Sequence, residues 1–335
     1  MTEGQTATQR IVSWAQTAKT WADSPAGKRT QKACSLGLSA LILLILVRAI
    51  VDVGWDEILA VLPTTPLFWL LFIASYLLQP VVDWVIYWRW WPMGRRDLSV
   101  MLKKRVMNEA LFSYSGETLL LVWATQKLGI EFDPDAPPKR LLGRGDGPGL
   151  DPRESPFAAV KDVAITSGLA GNLTTLLMLI LALSMGGGTV LADTVDPSVI
   201  KTIIISFGAL ILLNIGILVF RSRVMSLPVK ENVRLFWLHL ARVLGQHVLI
   251  TLSWIVALPA VDIHTWVLLG ALRMVIGRLP LPNKELLFAA VAINLTGDAS
   301  IQVAALLAAQ GALHLVFHGV AWFAGSAIEE RPPVV

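Results

Sequence analysis

The sequence predicts an all-α, polytopic helical membrane protein, and three observations carry that reading. Hydrophobic residues make up 55% of the 335 and charged residues only 16%, where soluble domains hold roughly 25% charged. Mean hydropathy is +0.63. Six apolar runs, near Leu36–Val51, Leu67–Tyr87, Ala164–Met185, Ile203–Phe220, Phe236–Leu258 and Val303–Phe323, approach the roughly 20 residues that cross about 30 Å of hydrocarbon. Backbone polar groups in lipid must be satisfied within the segment, which selects helices. The period-2 alternation of an outer-membrane barrel is absent.

The first 33 residues are polar and read as a cytoplasmic tail, with an amphipathic surface helix around Ile11, Val12, Trp14 and Ala15 or a solvated coil as the alternatives. No small-residue cleavage site follows Leu36–Val51, so that run is expected to act as an uncleaved signal anchor. The transmembrane domain is expected over 34–326, as halves 34–185 and 199–326, with a short tail at 327–335. Within the first half, 131–156 is a Pro-, Gly- and charge-rich connector. Trp84, Trp88, Trp90 and Trp91 close the second span as interface anchors do. The lone cysteine, Cys34, excludes an intrachain disulfide and a cysteine-cluster metal site.

Basic residues alternate along the chain. Arg10, Lys19, Lys28, Arg29 and Lys32 precede the first span, and Arg89, Arg95, Arg96, Lys103, Lys104 and Arg105 follow the second. Lys139, Arg140, Arg144, Arg153 and Lys161 precede the third, whereas Asp52–Pro66, Gly186–Ser198, Pro259–His264 and Gly297–Ser300 contain no Lys or Arg. The positive-inside rule therefore puts both termini in the cytoplasm and the protein in a cytoplasmic (inner) membrane. Each basic cluster flanks a span, which favours anionic lipid head groups over nucleic acid as the partner of a chain with net charge +4.

Two further apolar segments are too short and too broken to cross simply. Val106–Leu128 is interrupted at Gly116-Glu117, and Thr265–Leu295 is interrupted at Leu279-Pro280-Leu281-Pro282-Asn283. Two prolines and an Asn make a turn rather than a helix continuation. The two segments fall at matching places in halves of opposite orientation. Re-entrant hairpins in an inverted-topology repeat are the expectation, and such pairs point to a substrate site near the bilayer midplane.

The residues expected to serve such a site follow from cost. A carboxylate at membrane depth costs about 2.5–3.5 kcal/mol unless paired or wet, which singles out Glu117, beside Tyr114, Ser113 and Ser115. It either meets a cationic group or proton, or caps the second arm of its hairpin. Glu109 reads as an interfacial charge. In the second hairpin Arg273, Arg278, Asn283, Lys284 and Glu285 could bind a phosphodiester, with Arg forking onto two oxygens. Gln310, His314 and His318 share one face of the last span, where interhelical hydrogen bonding is the expected use. A metal on His314 and His318 is the weaker alternative, since no H-E-x-x-H pattern is present. Arg242, Gln246, His247 and the Asn172–Thr175 stretch carry less weight, and Asp83 is expected to pair with a neighbouring base. Phosphate-binding glycine loops and nucleophile elbows do not occur, and no cofactor is expected.

At Asn108, at Gly116-Glu117, and along Pro280, Pro282, Glu285 and Gly297, the chain resembles the transmembrane, flippase-like domain of lysylphosphatidylglycerol synthases. The resemblance spans most of 36–323. It departs where that family carries paired glycines after the prolines, since Asn283-Lys284 stands there, and the soluble aminoacyl-transfer domain of bifunctional members is missing. It implies lipid translocation without lipid aminoacylation. The sequence thus leaves three expectations. The first is a flippase- or scramblase-like lipid carrier binding substrate through Asn108, Tyr114, Glu117, Arg273, Arg278, Asn283 and Glu285. The second is a membrane enzyme acting on a lipid head group through Glu109 with Glu117, or His314 with His318. The third is an assembly subunit of a homo-oligomer or a larger membrane complex.

Overall fold

The computed structural model describes residues 29, 63–110, 114–130, 149–188, 197–278 and 284–328. The first apolar run, Cys34, most of the 131–156 connector and the 279–283 interruption lie outside them. The helices in chain order are α1 (Pro66–Trp88), α2 (Leu98–Ala110), α3 (Ser115–Lys127), α4 (Pro156–Ala182), α5 (Pro197–Val219), α6 (Val229–Ala257), α7 (Ile263–Arg278), α8 (Lys284–Thr296) and α9 (Ser300–Ile328). Among the described residues there is no strand.

Four helical stretches are long and apolar enough to cross a membrane: Pro66–Trp88, Pro156–Gly187, Val229–Ala257 and Ser300–Ile328. Pro66 and Pro156 open α1 and α4 at their first turns, where a missing N–H costs nothing. Along α1, Phe68, Phe72, Tyr76, Asp83 and Tyr87 face the interior, while Leu70, Ile73, Leu77, Val81 and Val85 lie exposed on the opposite face. An apolar stripe inside and another outside describe a helix between protein and lipid. On α5, Ile204, Ile205, Leu212, Leu213, Leu218 and Val219 are all exposed. A surface of that kind belongs in hydrocarbon rather than in water.

The packing relations of the two hairpins correspond. α2 lies on α1, on its own second arm α3 and on the distant α9, while α7 lies on α6, on α8 and on the distant α4. α3 then packs on α4 as α8 does on α9, and α1 packs on α6. Each half thus seats its first hairpin arm on the last long helix of the other half.

Four sequence expectations need correction. The first hairpin breaks earlier than Gly116-Glu117, since α3 already starts at Ser115 and both residues lie in its first turn. The chain turns at Tyr114, whose φ of 71° is left-handed, a conformation that costs a side-chain-bearing residue about 1–2 kcal/mol. The first arm also begins at Leu98, well ahead of Val106. The sequence reading gave Lys103, Lys104 and Arg105 to the membrane surface, yet all three are buried, because each finds a partner inside. Trp90 and Trp91 likewise pack in a core with Tyr87, and the Trp91 indole donates to the Pro152 carbonyl at 3.0 Å. Trp88, by contrast, is 56% exposed, as an anchor should be.

Candidate functional site

α2 presents two polar faces, one turn deep. On one side Lys104 and Asn108, four residues apart, point toward α3 and α4; on the other Arg105 and Glu109 point toward α1 and α9. The first face is tied to α3 by its backbone. The Gly116 N–H donates to Asn108 Oδ1 at 2.7 Å, and the Ser115 hydroxyl donates to the Met107 carbonyl at 2.8 Å. These bonds satisfy the free donors of a helix start. Gly116 lies so close to α2 that a Cβ there would strike the Lys104 carbonyl.

With the arms drawn together, Glu117 reaches Lys104. The ammonium lies 2.6 Å from Asp83 Oδ2 and 3.3 Å from Glu117 Oε1, its side chain 5% exposed. One cation therefore serves two carboxylates brought from α1 and α3. A cavity of about 280 Å³ opens beside this triad, lined also by Asn108, Tyr114, His239, Arg242 and Arg278. Arg242 extends from α6 and donates to Ser167 Oγ at 2.8 Å. Arg278, the last residue of α7, reaches the cavity across Gly171, where a Cβ would collide with its guanidinium. Tyr114 just before α3 and Arg278 at the end of α7 thus line one space. Lining charges number three cationic (Lys104, Arg242, Arg278) against two anionic (Asp83, Glu117). Glu117 Oε2, Arg242 Nε and both ring nitrogens of His239 are buried without a protein partner among the described residues. Buried polar atoms of this kind bind water or a ligand.

Of the residues picked from sequence, Asn108, Tyr114, Glu117 and Arg278 come together here. Arg273 does not, since five residues along a helix turn its side chain by about 140°. Its guanidinium instead lies 5.9 Å from the centroid of the Trp254 ring, within electrostatic reach of His247 and His314. Asn283 falls outside the described residues. Glu285 starts α8, with its side chain outside them as well. Asp83, Lys104 and Arg242 carry more of the site than the sequence reading allowed. The signal for Asp83 and Arg242 was an ionisable residue inside an apolar run, whereas Lys104, within a basic cluster, gave none.

The second face of α2 holds a separate network. Glu109, read from sequence as an interfacial charge, is ion-paired with Arg105, whose Nε lies 2.9 Å from its carboxylate, and sits 3.1 Å from His318 Nε2. The other ring nitrogen, Nδ1, is 2.8 Å from the Tyr76 hydroxyl, and Arg105 stacks over the Tyr76 ring 4.2 Å from its centroid while donating to the Tyr76 carbonyl. His314 bonds the Gln310 carbonyl of its own helix at 3.0 Å, and Gln310 accepts from the Trp254 indole. Among the described residues, no three His, Cys, Asp or Glu side chains gather as a metal site. Glu109 and Glu117 pair with different cations, Arg105 and Lys104, rather than with each other.

No family model matches the chain, and no curated protein or solved structure matches it either.

Proposed function

We propose that the protein is a lipid carrier of the flippase or scramblase type, whose substrate head group enters the cavity between the two hairpin turns. The observation that carries this reading is Tyr114 and Arg278, from turns in different halves, lining one polar cavity with Glu117. At 1.5 Å per residue, Asn108 lies about 15 Å along α2 from its start, near the middle of about 30 Å of hydrocarbon. A polar cavity at that depth has little use except to receive a polar group crossing the bilayer. The matching packing of the hairpins supports an inverted repeat of six spans with two re-entrant hairpins, and the alternating basic loops support cytoplasmic termini.

In this reading Arg278 and Arg242 take the lipid phosphate, Arg278 at the mouth and Arg242 within. Glu117, through its unpartnered Oε2, receives a cationic group of the head or a proton. Lys104 keeps Glu117 and Asp83 compatible with a buried setting while the cavity is empty. The likeness to the flippase-like domain of lysylphosphatidylglycerol synthases points the same way, toward lipid translocation.

The test is leaflet exchange of fluorescent phosphatidylglycerol in liposomes carrying the purified full chain. Arg278→Ala and Glu117→Gln should each slow exchange by about tenfold or more, the equivalent of about 1.4 kcal/mol. Arg273→Ala, outside the cavity, should retain it. Unchanged exchange in both Arg278→Ala and Glu117→Gln removes the proposed site. Lipid mass spectrometry of cells lacking the protein separates the enzymatic alternative: a missing lipid species supports chemistry, whereas altered sidedness alone supports transport.

A further inference from the structure

We infer that the carrier is driven by protons, and that the proton binds on the far face of α2, between Glu109 and His318, rather than in the lipid cavity. The inference rests on the carrier reading above but on different residues. Four polar side chains form an unbroken line there: Arg105 and Glu109 from α2, His318 from α9 and Tyr76 from α1. Glu109 is the wet end, its side chain 36% exposed. His318 and Tyr76 are buried. Such a line of carboxylate, imidazole and phenol within a membrane domain is costly to keep and is the form proton relays take. Packing alone would be served better by apolar side chains.

The geometry fits a balanced proton transfer. In the empty state Arg105 and Glu109 neutralise each other, the His318 Nδ1–H donates to the Tyr76 oxygen over 2.8 Å, and Nε2 carries no proton, 3.1 Å from Glu109 Oε2. A proton arriving at exposed Glu109 crosses that gap to Nε2. The ring is now an imidazolium paired with Glu109, and the cluster has gained one positive charge and nothing else. The other ionisable groups facing this cluster are His314, one turn earlier on α9, Arg273 of α7, which acts on His314, and Arg242 of α6, which acts on Arg105 and Glu109.

Position supplies the coupling. Glu109 and Asn108 are adjacent on α2, so the same turn that bonds α9 on one side holds Gly116 and the cavity on the other. Loading places a proton between Glu109 of α2 and His318 of α9 and so makes a charge-assisted hydrogen bond between the two helices, about twice as strong as a neutral one. The first hairpin is thereby held more tightly to the opposite half when the proton is bound, and released when it leaves. That is a two-state element both ligands can bias.

The test uses the full chain in liposomes of phosphatidylcholine with tracer fluorescent phosphatidylglycerol, the membrane potential clamped to zero. A gradient of one pH unit should build about a tenfold leaflet asymmetry of the tracer if one proton moves per lipid. His318→Gln and Glu109→Gln should abolish the asymmetry while leaving gradient-free exchange within about twofold, whether or not Tyr76→Phe slows both. Exchange that ignores the gradient in the wild type overturns the proton site and leaves the carrier reading intact. Absence of any exchange in the wild type removes the carrier reading instead.

Discussion

Replacing Gly116 with alanine tests the hairpin at the point where its two arms touch. An added Cβ would overlap the Lys104 carbonyl oxygen, come within 2.8 Å of the carbonyl carbon and within 2.9 Å of Asn108 Oδ1. The first two are helix backbone and cannot swing aside, so α3 must move away from α2. That movement lengthens the 2.7 Å bond from the Gly116 N–H to Asn108, a helix-start bond worth about 1 kcal/mol. Overpacking adds about 1–3 kcal/mol. The 3.3 Å approach of Glu117 to Lys104 opens at the same time. A total near 2–4 kcal/mol should lower the apparent melting temperature in detergent by about 5 °C or more. Gly168→Ala is the control. It lines the same cavity, but no atom lies within 4 Å of its would-be Cβ, and alanine favours a helix by up to about 1 kcal/mol. If Gly116→Ala melts together with Gly168→Ala, the close approach of the arms is wrong and the Lys104–Glu117 contact falls with it.

Three further substitutions probe the charges. Lys104→Met leaves Asp83 and Glu117 buried without their shared cation and should destabilise by about 3–5 kcal/mol; adding Asp83→Asn and Glu117→Gln should recover most of that loss in the same melting assay. Gly171→Ala pushes only the flexible end of Arg278, so tracer exchange should fall several-fold with the melting temperature unchanged, and equal loss of both would contradict the assignment. Trp254→Phe strands the buried Gln310 oxygen that now accepts from the indole; a cost of about 1–3 kcal/mol in thermal unfolding is expected, with no effect on cavity-dependent exchange.

The class of this protein was legible in its composition, and so were the short helices that pack in pairs, α2 with α3 and α7 with α8. Apolar runs of bilayer length and two segments of insufficient reach are properties of local sequence, which a membrane environment translates directly into helices and turns. Glu117 could be found the same way, because the cost of burying a carboxylate in an apolar run holds whatever the tertiary partners are. Partnership could not be read in this manner. Lys103, Lys104 and Arg105 look like a surface cluster until Asp83 from α1 and Glu117 from α3 meet Lys104, and Glu109 on the same helix meets Arg105. Arg273 and Arg278 are equivalent in sequence, and only the rotation of α7 against α4 and α6 sends one to the cavity and the other to Trp254. His318 next to Tyr76 joins residues 242 apart. Hydropathy and helical period are one-dimensional and survive in the sequence. Which face of a helix meets which neighbour depends on packing among distant segments, and that decision belongs to the folded bundle alone.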